Sequence, residues 1–173
     1  MILALHYIPT VDQRRFAYLG AHLRSPSGIE LGFSCFVKHD GATVPKDAGF
    51  SQVECGRFGV TERDVIARLM NHNKTASTIA IHGAQRFRDI LRACLDEMGR
   101  PDDFPRPLQS VIDTAELSRI ACKLPGGDET ADAYRIPTLA EATAALLGTA
   151  DPTPRGVGAL AAHLTKIGMT EAA

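Results

Sequence analysis

The sequence predicts an α/β fold: a mixed five-stranded sheet, three antiparallel strands then two parallel ones, flanked by helices. Three observations carry this. Strand-length apolar runs separated by short turns occupy the first 38 residues. From Ser77 to Arg100, STIAIHGAQRFRDILRACLDEMGR, an apolar run at Ile79–Ile81 gives way after His82-Gly83 to apolar residues at three- and four-residue steps, which is a strand feeding a helix. A second strand–helix pair follows, and parallel neighbours need such a crossover between them.

Met1–Ile8 reads as the first strand, interrupted by His6, with a turn over Pro9–Arg15. Phe16–Arg24 is the second strand, and Ser25-Pro26-Ser27-Gly28 is a strong turn signal before a third strand at Ile29–Lys38. His39–Arg57, with Asp40-Gly41, Pro45 and Gly49, reads as a long loop. Thr61 caps a helix whose buried stripe is Val65, Ile66, Leu69 and Met70. The stripe of the next helix is Phe87, Ile90, Leu91, Cys94, Leu95 and Met98, stopped by Gly99. Leu108–Ile112 is the fifth strand. Asp113 with Glu116 resembles a capping box and opens a helix with the stripe Leu117, Ile120, Ala121 and Leu124. Thr138 and Glu141 form another box, before Ala142, Ala145, Leu146 and Leu147 and a closing Gly148. Val157, Leu160, Leu164 and Ile167 mark a last helix.

A chain of 173 residues fits one domain, residues 1–173. A net charge of −1 rules out a global field toward nucleic acid or membrane, so any such binding needs a local patch. No apolar run is long enough to span a bilayer, the first residues lack the basic start of a signal peptide, and the expected compartment is the cytoplasm. Cys35, Cys55, Cys94 and Cys122 show no CxxC pairing or zinc spacing and are expected as buried, reduced thiols.

Four passages fall in order along the chain: FGVTERDV, IAIHGAQRFRDIL, VIDTAELSRIACKLPGG with YRIPTLAEATAALLG, and PRGVGALAAHLTKI. Together they resemble the DEDD family of 3′–5′ exonucleases, which includes the proofreading subunit of bacterial replicative DNA polymerase. The resemblance implies a ribonuclease H-like three-layer domain. It also implies four carboxylates holding two divalent ions, one helping to generate the attacking hydroxide and one stabilising the leaving oxygen, with a His as general base.

At the positions this resemblance assigns, the acids are missing. Asp-x-Glu of the first strand falls at Ala4-Leu5-His6. The Asp of the helix after His82 falls at Phe87, or at Arg88 with one residue inserted, and Asp89 is about 100° round the helix from Arg88. The last Asp falls at Ala159, with Pro154 or a neighbour at the His position, and His163 lies one turn beyond. Asp12, Asp40, Asp89 and Asp113 are reserve acids, although Asp113 reads first as an N-cap. His6 and His82 sit near strand ends and can face one cleft, but two histidines make a poor zinc site without a third ligand.

The expected site is therefore a pseudo-active cleft with no metal or other cofactor, Mg²⁺ or Mn²⁺ entering only if displaced acids serve. His6, His82, Arg86, Arg88 and Arg155 are the candidates to meet nucleic acid. Three readings follow: a pseudoenzyme binding single-stranded nucleic acid or a protein partner, an active exonuclease with displaced ligands, and a non-enzymatic homodimerising protein. Membrane is expected to play no part.

Overall fold

Alternation decides the first three strands. In β1 (Ile2–Pro9), Leu3, Leu5 and Tyr7 face one side and Ala4 and His6 the other, and β2 (Phe16–Arg24) and β3 (Glu30–Lys38) repeat the two-residue period. The register pairs Ala4 with His22 and His6 with Gly20 across β1 and β2, then Gly20 with Ser34 and His22 with Gly32 across β2 and β3. Like side chains thus collect on like faces.

The computed structural model describes residues 1–25, 27–39, 41, 43–101, 110–126 and 134–169. Helix α1 (Gln52–Phe58) and the two-residue strand β4 (Val60–Thr61) precede α2 (Glu62–Asn73). β5 (Thr78–Ile81), α3 (Ala84–Glu97), β6 (Val111–Asp113) and α4 (Thr114–Cys122) form the two strand–helix units. Then come α5 (Leu139–Leu147) and α6 (Pro154–Lys166). The sheet order is β4-β3-β2-β1-β5-β6, with β1, β2 and β3 antiparallel and β5 and β6 parallel to β1. This is the ribonuclease H-like arrangement that the resemblance implies.

Four expectations need correction. The stretch before Thr61 is not all loop. Ser51 and Glu54 form a reciprocal capping box that starts α1, although only Cys55 of that helix is buried, so it carries no apolar stripe to read. β4 adds a sixth strand beside β3. Ile120 and Ile167, expected in helix stripes, are 49% and 51% exposed, and Ser118 is buried beside Leu117 instead. Ala145 is also exposed. Leu108 and Gln109 of the expected fifth strand lie outside the described residues, as does Asp40.

Two apolar cores share the sheet. Against α2 and α3, and the Phe87 ring that α3 carries, lie Leu3, Leu5, Phe16, Leu19 and Ile81, all large. Against α4, α5 and α6 lie Ala4 and Ala80 of the sheet, under Val157, Leu160, Ala161 and Leu164. A partly buried polar junction closes the first core at its end: Arg15 Nη1 donates to Glu62 Oε2 at 2.7 Å, and Cys94 Sγ lies 3.3 Å from Glu62 Oε1. Burial, with Glu62 beside it, pushes the Cys94 thiol well above its ordinary pKa. All four cysteines are free thiols, and Cys35, Cys55 and Cys94 are buried.

Candidate functional site

The side of the sheet that faces α6 is built from small and polar residues. His6 from β1, Tyr18, Gly20 and His22 from β2, and Gly32 and Ser34 from β3 all point to it. Helix α6 starts close to this floor. A Cβ on Gly20 would sit 2.6 Å from Pro154 Cγ and 2.8 Å from the Tyr18 hydroxyl, so glycine permits the approach. One turn on, a Cβ at Gly158 would lie 3.3 Å from the Ala4 Cβ. Pro at the first helical position and Thr153 as N-cap fix where that helix begins.

His6 and His82 lie close enough on this side for His82 to act electrostatically on His6. Burial holds the His6 imidazole neutral, pushing its pKa down to about 4, with His82 adding to the fall and Asp151 opposing it. Its Nδ1 is buried and makes no hydrogen bond to any described residue, and its ring stands 5.7 Å from that of Tyr18. His82 Nε2 lies 2.9 Å from the Pro137 carbonyl, which can only accept, so Nε2 carries the hydrogen. Its Nδ1 is 3.1 Å from Thr114 Oγ1, and burial lowers its pKa as well. The Tyr18 hydroxyl donates to Ser34 Oγ at 2.9 Å.

Asp113 has a structural task. One oxygen accepts the Gly83 and Ala115 amides at 3.0 and 2.9 Å, and the other accepts the Ala84 amide at 2.7 Å. One carboxylate thereby caps both α3 and α4, where Gly83 itself has no side chain to offer and sits at φ 87°. Asp12 accepts from Thr10 and from the Arg14 amide in a local turn, and Asp89 accepts from Gln85 at 3.0 Å. Among the described residues, no three His, Cys, Asp or Glu side chains gather as a group that holds a metal ion.

The other candidates separate. Phe87 belongs to the opposite face, packed 5.4 Å from Tyr7 and 5.3 Å from Phe16, centroid to centroid. Arg86 and Arg88 are exposed on α3, and Arg86 acts electrostatically on Tyr7, whose hydroxyl bonds the Gly83 carbonyl. Ala159 and Arg155 lie on α6 and line a cavity of about 570 Å³ against the start of β1 and the end of β2. A second hollow of about 430 Å³ opens on the β2–β3 face beside it. His22, Glu30 and Arg155 border both.

No family model matches the chain, and neither does any curated protein. Among solved structures, the chain is similar to one of exonuclease X in complex with 5′ overhanging duplex DNA. That alignment covers 98% of this chain and 95% of that chain at 14% identity, with a TM-score of 0.45.

Sequence reading missed Asp151, Tyr18, His22 and Glu30. Asp151 is identified only by the return of α6 to the sheet. The other three had a signal: alternate residues of β2 and β3 on this side, from Tyr18 to Arg24 and from Glu30 to Ser34, are small or polar, and the hairpin register aligns them.

Proposed function

We propose that this chain is an exonuclease-like domain that binds single-stranded nucleic acid without cleaving it. The single observation that carries the reading is Ala4. It is 1% exposed, it belongs to a buried apolar cluster with Ala80, Val157 and Leu160, and the backbone of Gly158 closes over it. The residues at the positions the resemblance assigns to the two ions do not fit that centre. Mg²⁺ wants oxygen ligands at about 2.0–2.1 Å, and a two-metal pair needs about 3.5–4 Å between the ions. Ala4 and Ala159 offer no donor, Phe87 is on the other side of the sheet, and His6 is a buried neutral imidazole. The reserve acids that are described, Asp12, Asp89 and Asp113, each accept hydrogen bonds from the protein itself instead.

The groove beside this floor supports binding. Arg155 and Arg24 line the larger cavity, both largely exposed, and guanidinium groups meet phosphate oxygens in bidentate fashion. The rings of Tyr18, Phe36 and Phe50 cluster on the same side of β2 and β3, with Phe36 and Phe50 centroids 4.7 Å apart, and an aromatic surface near arginine suits unstacked bases. His6 and His82, on β1 and after β5, are held toward the neutral form by burial. A second reading, a protein-binding module, is favoured by Val53 and Phe58 on α1, 75% and 61% exposed.

Two measurements on the intact protein test the proposal. Incubating labelled single-stranded DNA or RNA with Mg²⁺ or Mn²⁺ should give no shortened product. Anisotropy of the same oligonucleotides should show binding that weakens with salt, by about 0.7 log units per log unit of salt for each phosphate neutralised. Metal-dependent shortening abolished by Asp113→Asn or Asp89→Asn would replace it with the active-enzyme reading. No binding at low salt would favour the protein partner.

A further inference from the structure

The two hollows beside α6 share a wall, and that wall is an ion cluster. Glu30, on the first residue of β3, lies 3.4 Å from Arg155 Nη2 and 3.2 Å from His22 Nε2, with Arg24 Nε 4.0 Å from its other oxygen. Arg155 comes from the far end of the chain, so this contact ties α6 to the β2–β3 hairpin across the mouth of the groove. The same three residues, His22, Glu30 and Arg155, border the larger and the smaller cavity alike. One carboxylate therefore engages both arginines of the groove and stands between its two halves.

We propose that Arg24 and Arg155 form a phosphate subsite and that Glu30 is its resident competitor, which a phosphodiester must displace to join the two hollows into one track. The proposal rests on the nucleic-acid reading above and adds its regulation. Both partners are exposed, so the pair is worth little and is readily exchanged, as surface ion pairs are. A phosphodiester brings the same kind of anionic oxygens that Glu30 supplies, and the Arg guanidinium donates to either. The acid also repels an approaching strand, so binding in the presence of Glu30 is weaker than the arginines alone would allow. No bond is made or broken in this exchange. Glu30 swings away as the phosphate enters, and its place beside His22 is left to solvent.

The test is anisotropy of a short labelled oligothymidine against four versions of the whole protein, at low salt and across a salt series. They are wild type, Glu30→Gln, Glu116→Gln and the double variant Glu30→Gln, Arg155→Ala. Glu116 pairs with Arg119 on α4 and gives the same change of net charge away from the groove. Glu30→Gln should bind about three- to tenfold tighter than wild type, a gain of the size that releasing exposed ion pairs allows. Its salt dependence should match that of wild type, because the same phosphate is neutralised once Glu30 has moved aside. Glu116→Gln should match wild type, and the double variant should lose the gain. Wild-type binding with no change in Glu30→Gln would overturn the competitor and leave the nucleic-acid reading standing. Equal gains in Glu30→Gln and Glu116→Gln would also overturn it, as an effect of net charge. No binding by any version would sink both. Circular dichroism checks that each variant is folded.

Discussion

The two faces of this sheet come from the same strands and are built on opposite rules. The face under α2 and α3 is filled with Leu3, Leu5, Phe16, Leu19 and Ile81, interdigitated with Phe87, Ile90 and Leu91. The face under α6 has Ala4, His6, Gly20, His22 and Gly32, and lets a helix start almost touch the strands. Large side chains supply burial, about 1.5–3 kcal/mol each. Small ones bring backbones close and leave hollows at the edges. The first face holds the fold together, and the second is where a ligand can reach the sheet. If that division is right, damage to the first should appear in stability alone, and damage to the second in pH response, fit and binding.

The largest effect should come from Phe87→Ala. Its ring packs on Tyr7 and Phe16 and is 4% exposed, so truncation should lower the free energy of unfolding by about 3–5 kcal/mol in urea titration. Oligonucleotide affinity of the folded fraction should not change. A loss of affinity without a loss of stability would return Phe87 to the site that the exonuclease resemblance assigned to it.

Next is the pH response of the other face. His6 has a folded pKa of about 4 against an ordinary 6.5, so the unfolded chain takes up the proton first. Its contribution is fully present above about pH 6.5, falls as the pH drops through that window, and is lost by about pH 4, at most roughly 3 kcal/mol. His82, also lowered, adds in the same direction, while Asp151 beside His6 opposes it. Unfolding midpoints in urea at pH 7 and pH 4.5 should therefore differ more for wild type than for His6→Gln. Equal losses in both proteins would mean that His6 is charged in the folded state.

How much of this was legible in the sequence follows the same division. The large face was readable almost residue by residue, because its signal is the periodicity of bulky apolar side chains: the stripes of α2 and α3 are those seen at Val65–Met70 and Phe87–Met98. The capping residues Thr61, Asp113 and Thr138 were equally plain, since each shows as a short polar residue ahead of a helix. The small face was not, because Gly20, Gly158 and Ala4 matter through what they allow to come near, and nearness across more than a hundred residues has no local mark. Phe87 carried two readings: the resemblance put it at a degenerate site position, while the apolar stripe put it in the core, where it packs on Tyr7 and Phe16. Ile120 misled, apolar in sequence and yet exposed, since α4 is buried through Leu117 and Ser118.

A smaller effect tests how tightly the second face is closed. Gly20→Ala puts a methyl 2.6 Å from Pro154 Cγ, closer than packed atoms stand, and the ring of Pro154 cannot fold away. The start of α6 must shift, at about 1–3 kcal/mol by urea titration. Binding should weaken too, because the shift moves Arg155, the next residue of the helix. A neutral Gly20→Ala would show that α6 is not pinned to the strands.

The smallest effect should be that of Tyr18→Phe, and it separates the two roles within the small face. The phenol hydroxyl donates to Ser34 Oγ at 2.9 Å in an exposed setting, so its loss should cost no more than about 0.5–1.5 kcal/mol in urea titration. The ring itself remains, still 5.7 Å from His6 and 6.2 Å from Phe50, and stacking depends on the ring rather than the hydroxyl. Anisotropy should thus give Tyr18→Phe the affinity of wild type, whereas Tyr18→Ala should lose about 1–3 kcal/mol of binding, the value of one stacked base. Equal losses in both variants would assign the contribution to a hydrogen bond from the hydroxyl, and the aromatic cluster would then be packing between β2, β3 and the Phe50 segment rather than a platform for bases.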